Sequence, residues 1–186
     1  KVIPKARGVV LEVGMGTGLN LPYYIPDKID KLYGLEPAPE MLKHAQSRVA
    51  AADFEISIID LPGEQIPLED ESVDTIVLTF TLCTIPDPLT ALAGMKRVLK
   101  SDGVLLFCEH GQAPDHRIQK LQNRLNGLWS TCAGGCHLNR DIPALIERAG
   151  FEIQEVEKMY LPRTPKFAGY TYWGEAKKPF QDIVIP

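Results

Sequence analysis

The chain has 186 residues, enough for one domain with a sizeable core. Its formal net charge is −4, from 20 basic and 24 acidic residues, so it offers no broad basic surface to nucleic acid. The most apolar run, VDTIVLTFTLCTIP, is too short to cross a membrane and carries an acid and four threonines, and no signal peptide is visible.

The first β-branched run, GVVLEV (8–13), predicts a buried strand. KLYGLE (31–36) predicts a second. Met41, Leu42, Ala45 and Val49 then recur at helical spacing behind Pro39, a residue suited to a first turn. FEISII (54–59) and VDTIVLTF (73–80) predict the third and fourth strands. Asp87 and Pro88 open the next helix as cap and first-turn proline, with Leu89, Leu92, Met95 and Leu99 on its apolar face. GVLLFCE (103–109) predicts a fifth strand. Ile118, Leu121, Leu125 and Leu128 form a helical stripe. Ile142, Leu145, Ile146 and Ala149 form another, which Gly150 stops. FEIQEVEKMY (151–160) and GYTYWGEAKK (169–178) predict two late strands with no helix between them. Alternating strands and helices predict an α/β, doubly wound, Rossmann-like fold. Its seven-stranded sheet is mostly parallel with an antiparallel last strand, helices cover both faces, and one domain spans 1–186.

Four cysteines stand at 83, 108, 132 and 136. Cys83 and Cys108 lie in or beside apolar runs and read as buried thiols. Cys132 and Cys136, spaced C-x3-C beside His137, hint at a metal. No second pair of ligands has zinc-site spacing, so neither a metal nor a disulfide framework is expected. A reducing, cytoplasmic setting fits this pattern.

The chemistry concentrates in LEVGMGTGLN (11–20), where Gly14, Gly16 and Gly18 follow the first strand. In an open α/β sheet, ligands bind beyond the carboxyl ends of the strands, and glycines there let a ligand approach the backbone closely. The spacing is E-x-G-x-G-x-G rather than the G-x-G-x-x-G of dinucleotide sites. Glu12 is expected to face the cavity, where it would repel a pyrophosphate and suit a cationic tail. Glu36 ends the second strand, placed to accept both hydroxyls of an unphosphorylated ribose. A ribose, a positive tail and no phosphate describe S-adenosyl-L-methionine.

The chain also resembles class I S-adenosylmethionine-dependent methyltransferases over nearly its whole length. LEVGMGTG is similar to their first motif and GLEP to their ribose-binding acid. DLPGEQIPLEDESVDTIVLTFTLC is similar to their adenine loop and fourth strand, and MKRVLKSDGVLLFCEHG to the approach to the fifth. TGLNLPYY, TLCTIPDP, EHG, GGCHLNRD and GYTYWGEAKK carry a narrower resemblance, to the methyltransferase-like thiol S-methyltransferases and their bacterial relatives. DLPGEQ departs from the pattern by one extra loop residue. The family usually has a helical segment before the first strand, sometimes a membrane anchor. Lys1 stands only a few residues ahead of that strand, so peripheral membrane association would follow if such a segment precedes it.

The resemblance implies a methyltransferase acting on a small-molecule acceptor, such as a thiol. Phospholipid and quinone methyltransferases and a non-catalytic cofactor-binding module are the alternatives. Gly14, Gly16, Gly18, Glu36 and Pro37 would hold the methionine and ribose parts, and Gly63 and Glu64 the adenine. Thr79, Phe80 and Leu82 would flank the transferable methyl. Glu109 and His110 end the fifth strand, and His110 is the candidate proton acceptor. Trp129, Cys136, His137 and Arg140 are candidates for the acceptor side, while Asn139 or Asp141 caps the following helix. His44 and His116 are expected in solvent.

Overall fold

Seven strands form one sheet in the computed structural model, which describes residues 1–180; the last six residues of the expected domain lie outside the described part. Strand β1 (Gly8–Val13) sits between two parallel neighbours, β2 (Ile29–Leu35) and β4 (Val73–Thr79). Parallel pairing continues to β3 (Ile56–Ile59) beyond β2 and to β5 (Leu99–His110) beyond β4. β7 (Tyr170–Lys177) is antiparallel both to β5 and to the edge strand β6 (Glu152–Tyr160). The order is therefore β3-β2-β1-β4-β5-β7-β6, and the last strand is the antiparallel one, as the sequence predicts. The chain reverses its direction of progress across the sheet at the β1–β4 junction, the switch point at which open α/β sheets bind ligands.

Alternation along the strands builds two cores. Val10, Leu32, Val77 and Leu106 point to one face, where Ala45 of α1 (Pro39–Ala50) and Tyr24 join them. Leu11, Ile76, Leu78 and Phe107 point to the other, against Leu92 and Met95 of α2 (Pro88–Val98) and Ile142 and Ile146 of α4 (Ile142–Arg148). Burial on both faces explains why these strands read as continuous apolar runs. Asp87 caps α2 through its bond from the Thr90 amide, and Asp141 caps α4 through that of Ala144.

Two sequence expectations are corrected. Leu99 is not on α2: that helix ends at Val98, and Leu99 has extended backbone (φ −70°, ψ 133°) and opens β5. Nor does the stripe of α3 (His116–Cys132) bury itself. Leu121 is 39% and Leu128 70% exposed, while Gln122 is buried. Gln122 takes the inner position because the chain beneath it needs hydrogen bonds. Its Oε1 accepts the Ala113 amide (2.9 Å), and its Nε2 donates to the carbonyls of Gly111 and Phe167 (both 3.0 Å).

Candidate active site

Past β1 the chain turns through Gly14, Gly16 and Gly18, with φ of 72°, 57° and 73°. A Cβ on Gly14 would lie 2.3 Å from the Thr81 hydroxyl, and one on Gly18 would lie 3.0 Å from Leu21. A Cβ on Gly16 would meet nothing within 4 Å. All three glycines serve the turn through positive φ, and Gly16 alone of them also leaves its face open to a ligand.

That open face belongs to a cleft of about 450 Å³ beyond the carboxyl ends of β1, β2 and β4. Of the residues expected from sequence, Gly14, Gly16, Glu36, Pro37, Gly63, Glu64, Thr79 and Phe80 line it. Sequence reasoning did not assign Met41, Pro62, Thr81, Thr84, Ile85, Pro86 and Gly134, which line it too. Among the described residues, the lining holds two carboxylates, Glu36 and Glu64, and no Lys, Arg or His. A phosphate would find repulsion there and no cationic partner; a cationic ligand would find attraction.

Glu36 directly follows β2 and is 8% exposed. Its Oε2 accepts the Gly16 amide and its Oε1 the Ala38 amide, both at 2.9 Å. Each oxygen keeps acceptor capacity for a ligand hydroxyl. The carboxylate thus links the glycine turn to the start of α1. Glu64 accepts the Asp87 amide (3.1 Å), which ties the 62–64 segment to the N-terminus of α2.

Glu12, Gly18 and Leu82 do not line the cleft. The correction at Glu12 follows from strand alternation: it shares a face with Val10 and is fully buried. The Asn20 side-chain amide (2.8 Å) and the Tyr24 hydroxyl (2.8 Å) donate to its two oxygens. Asn20 also donates to the Thr79 hydroxyl (2.7 Å), so Glu12 braces the returning chain against the end of β4. Burial pushes its carboxyl up to about 7, against the opposing hydrogen bonds from Asn20 and Tyr24. The negative field of the cleft comes instead from Glu36 and Glu64.

Leu82 is turned inward, with its amide donating to Glu109 (2.9 Å). Glu109 is fully buried and also accepts the amides of Thr81 (2.7 Å) and Cys83 (3.3 Å). One carboxylate thus organises the turn after β4, where Phe80 takes φ 52° and stands 52% exposed. Burial raises the Glu109 carboxyl to about 7, with the three amides working the other way. Arg140 clamps the same turn from outside, donating to the carbonyls of Leu82 (2.5 Å) and Ile85 (2.7 Å). These bonds explain its place without a ligand.

His110, Trp129, Cys136 and His137 do not line the cleft either. His110 is buried, with Nε2 3.2 Å from the Cys136 sulfur and no partner for Nδ1 among the described residues. Trp129 donates its indole N–H to that sulfur (3.4 Å), and Cys83 lies 4.0 Å from it. The Cys83 thiol holds the half-buried Cys136 thiol below its ordinary range, joined by His110 and Trp129 and opposed by burial. The Cys83 thiol is held high, by its bond to Cys136 and by burial. His137 faces away, with Nδ1 3.1 Å from the Asn126 amide and its own amide donating to the Cys83 carbonyl (2.8 Å). Cys132, His44 and His116 are exposed.

A family model described as a methyltransferase domain matches residues 11–107, which span the glycine turn, Glu36 and the strands to β5. Thiol S-methyltransferase TMT1B of Homo sapiens is 31% identical over 170 residues, covering 86% of this chain and 68% of that protein.

The chain belongs to the class I S-adenosylmethionine-dependent methyltransferases.

Thiol S-methyltransferase TMT1B of Rattus norvegicus is 33% identical over 152 residues, which are 80% of this chain and 62% of that protein. The chain thus aligns with less than two thirds of that relative's length. A solved S-adenosylmethionine-dependent methyltransferase of Methanosarcina mazei shares the fold, with a TM-score of 0.71, 17% identity and 93% coverage of each chain.

The methyltransferase cofactor, S-adenosylmethionine, fits the cleft on three counts. The bare face of Gly16 leaves room for close approach. Glu36 presents two buried oxygens for hydroxyls. The lining carries negative charge and no cation, among Pro37, Met41, Ile85 and Pro86 as apolar walls. No helix among the described residues is long and apolar enough to cross a membrane.

Proposed function

We propose that this methyltransferase moves a methyl group from S-adenosylmethionine to a small-molecule acceptor, and that the acceptor is a thiol. The observation that carries the first part is the charge of the cleft: two carboxylates and no base, beside an open glycine face. S-adenosylmethionine supplies an activated methyl on a positive sulfur, so the protein's task is alignment and exclusion of water. Glu36 accepts the ribose hydroxyls, and Gly63 and Glu64 face the adenine. Thr79, Thr81 and Phe80, at the end of β4, border the methyl.

The thiol reading rests on the relatives, among them two named thiol S-methyltransferases, and on two cysteines close in sequence to the cleft lining. Thr84 and Gly134 line the cleft and lie within two residues of Cys83 and Cys136 in sequence. A thiol reacts as thiolate, so the acceptor must shed its proton as it docks. His110 does not line the cleft; its Nε2 lies 3.2 Å from the Cys136 sulfur.

Labelled S-adenosylmethionine incubated with a panel of small thiols, quinols and phospholipids tests the proposal. Methyl thioether and an equal amount of S-adenosylhomocysteine should appear with the thiols. Transfer confined to a quinol or phospholipid overturns the thiol reading. Tight cofactor binding without transfer to any acceptor marks a binding module.

A further inference from the structure

Three chemistry-bearing side chains outside the cleft lining meet in one place. Cys83 follows β4, His110 ends β5 and Cys136 follows α3. Their ligand atoms all lie within 4.8 Å of one another, with Cys136 Sγ 3.2 Å from His110 Nε2 and 4.0 Å from Cys83 Sγ. Tetrahedral Zn²⁺ with ordinary bond lengths sets its ligands about 3.8 Å apart for two sulfurs and about 3.6 Å for sulfur and nitrogen. The measured sulfur–sulfur separation is about 0.2 Å longer and the sulfur–nitrogen separation about 0.4 Å shorter, so a modest shift of the side chains seats the ion.

Three further considerations bear on a cation at this place. Two thiolates and Zn²⁺ form a set with no net charge, which suits a buried place. Nε2 beside the sulfur is the one polar contact that the His110 ring makes among the described residues, so that nitrogen is aimed into the cluster, while Nδ1 has no partner there to orient the ring. The Trp129 indole N–H points at the Cys136 sulfur from outside, as second-sphere donors do at metal thiolates. The residues come from three separate segments, so the set has no spacing motif. Cys132, the partner that C-x3-C spacing suggests, is exposed and outside it.

We propose that Cys83, His110 and Cys136 bind one Zn²⁺ ion and that its fourth position receives the sulfur of the methyl acceptor. The second half rests on the thiol reading above. Three protein ligands and one open position is the arrangement of catalytic rather than structural zinc. Cys136 is only half buried, and cleft residues Thr84 and Gly134 lie one and two residues along the chain from Cys83 and Cys136. On binding, the acceptor thiol gives its proton to water and its sulfur to the ion. In the transfer, the carbon–sulfur bond to the methyl of S-adenosylmethionine breaks, leaving its electron pair on that sulfur as S-adenosylhomocysteine. The new bond joins the methyl to the acceptor sulfur.

The test uses the reduced, chelator-stripped chain, titrated with Co²⁺ without oxygen. One equivalent should produce sulfur-to-cobalt charge-transfer and tetrahedral ligand-field bands, which Zn²⁺ then removes. Cys136→Ser, at a half-exposed position, should lose part of the charge-transfer intensity and bind cobalt more weakly, while its circular dichroism stays that of the parent. His110→Ala should weaken Zn²⁺ by about 100-fold or more, since outer-sphere partners alone are worth roughly 10–100-fold. Cys132→Ser should titrate like the parent. No charge-transfer band in the parent, or an unchanged titration in Cys136→Ser, overturns the metal site and leaves a thiol–imidazole hydrogen-bond cluster. Added ethanethiol should then shift the cobalt bands; unshifted bands overturn the role of the fourth position. A cobalt site that responds to ethanethiol in a protein that methylates no thiol upholds the site and sinks only the thiol reading.

Discussion

At Gly16 the backbone is held at φ 57° with open space where a Cβ would be, and that emptiness is what a ligand needs. Gly16→Val fills it, and S-adenosylmethionine binding should disappear in calorimetry while the protein still melts cooperatively, at a temperature lowered by the strain of a β-branched residue at positive φ. Gly14→Ala tests the contrast. Its Cβ would strike the Thr81 side chain 2.3 Å away, and positive φ adds about 1–2 kcal/mol, so its main effect should be a lowered melting temperature. If Gly16→Val binds normally, the ligand lies elsewhere. Glu36→Ala should weaken the cofactor by about 1.5–3 kcal/mol, the usual scale for lost hydrogen bonds to a charged group. Because Glu36 also holds the Gly16 and Ala38 amides, some of that loss comes from a loosened turn. Glu36→Gln, which can keep one of the two amides, should fall between parent and Ala. Unchanged affinity in Glu36→Ala would show that this carboxylate does not hold the ribose.

The elements around the cleft are joined by buried carboxylates, and this gives stability a pH dependence. Glu12 ties β1 to the returning chain, and Glu109 ties β5 to the turn after β4. Burial raises both from 4.5 to about 7. Between those values the unfolded chain has released the proton while the folded chain keeps it. Rising pH therefore favours unfolding across that window and has no further effect through these groups above about 7. In urea unfolding, the stability of the parent minus that of Glu12→Gln should fall between pH 5 and 7, by at most about 1.4 kcal/mol per pH unit, and then level off. A difference that is flat, or that rises with pH, would mean that burial does not raise the Glu12 carboxyl. Alternating strands and helices were legible because the buried runs have period 2 and the helices period 3.6. Glu36 and the glycine turn were legible because strand order places them at the switch point. The role of Glu12 was misread, since the motif alone does not say which face of β1 it takes. Helix α3 was misread because its inner face is chosen by the hydrogen bonds of Gln122 rather than by apolar area.

At the scale of the whole molecule, the doubly wound sheet brings three loop regions to one end and leaves their charge negative. Nothing in local sequence announces that Cys83, His110 and Cys136 converge, since only the β4–β5 pairing and the packing of the chain after α3 bring them together. The same pairing sets the 81–86 turn between Glu109 and Arg140, so that wall of the cleft is held from both sides. The most direct test of the account is a calorimetric titration of the cleft with S-adenosylmethionine, S-adenosylhomocysteine and a nicotinamide dinucleotide in parallel. The account predicts one-to-one binding of the first two, a melting temperature raised by mass action, and no detectable heat with the dinucleotide. Tight binding of the dinucleotide with no binding of S-adenosylmethionine would contradict it.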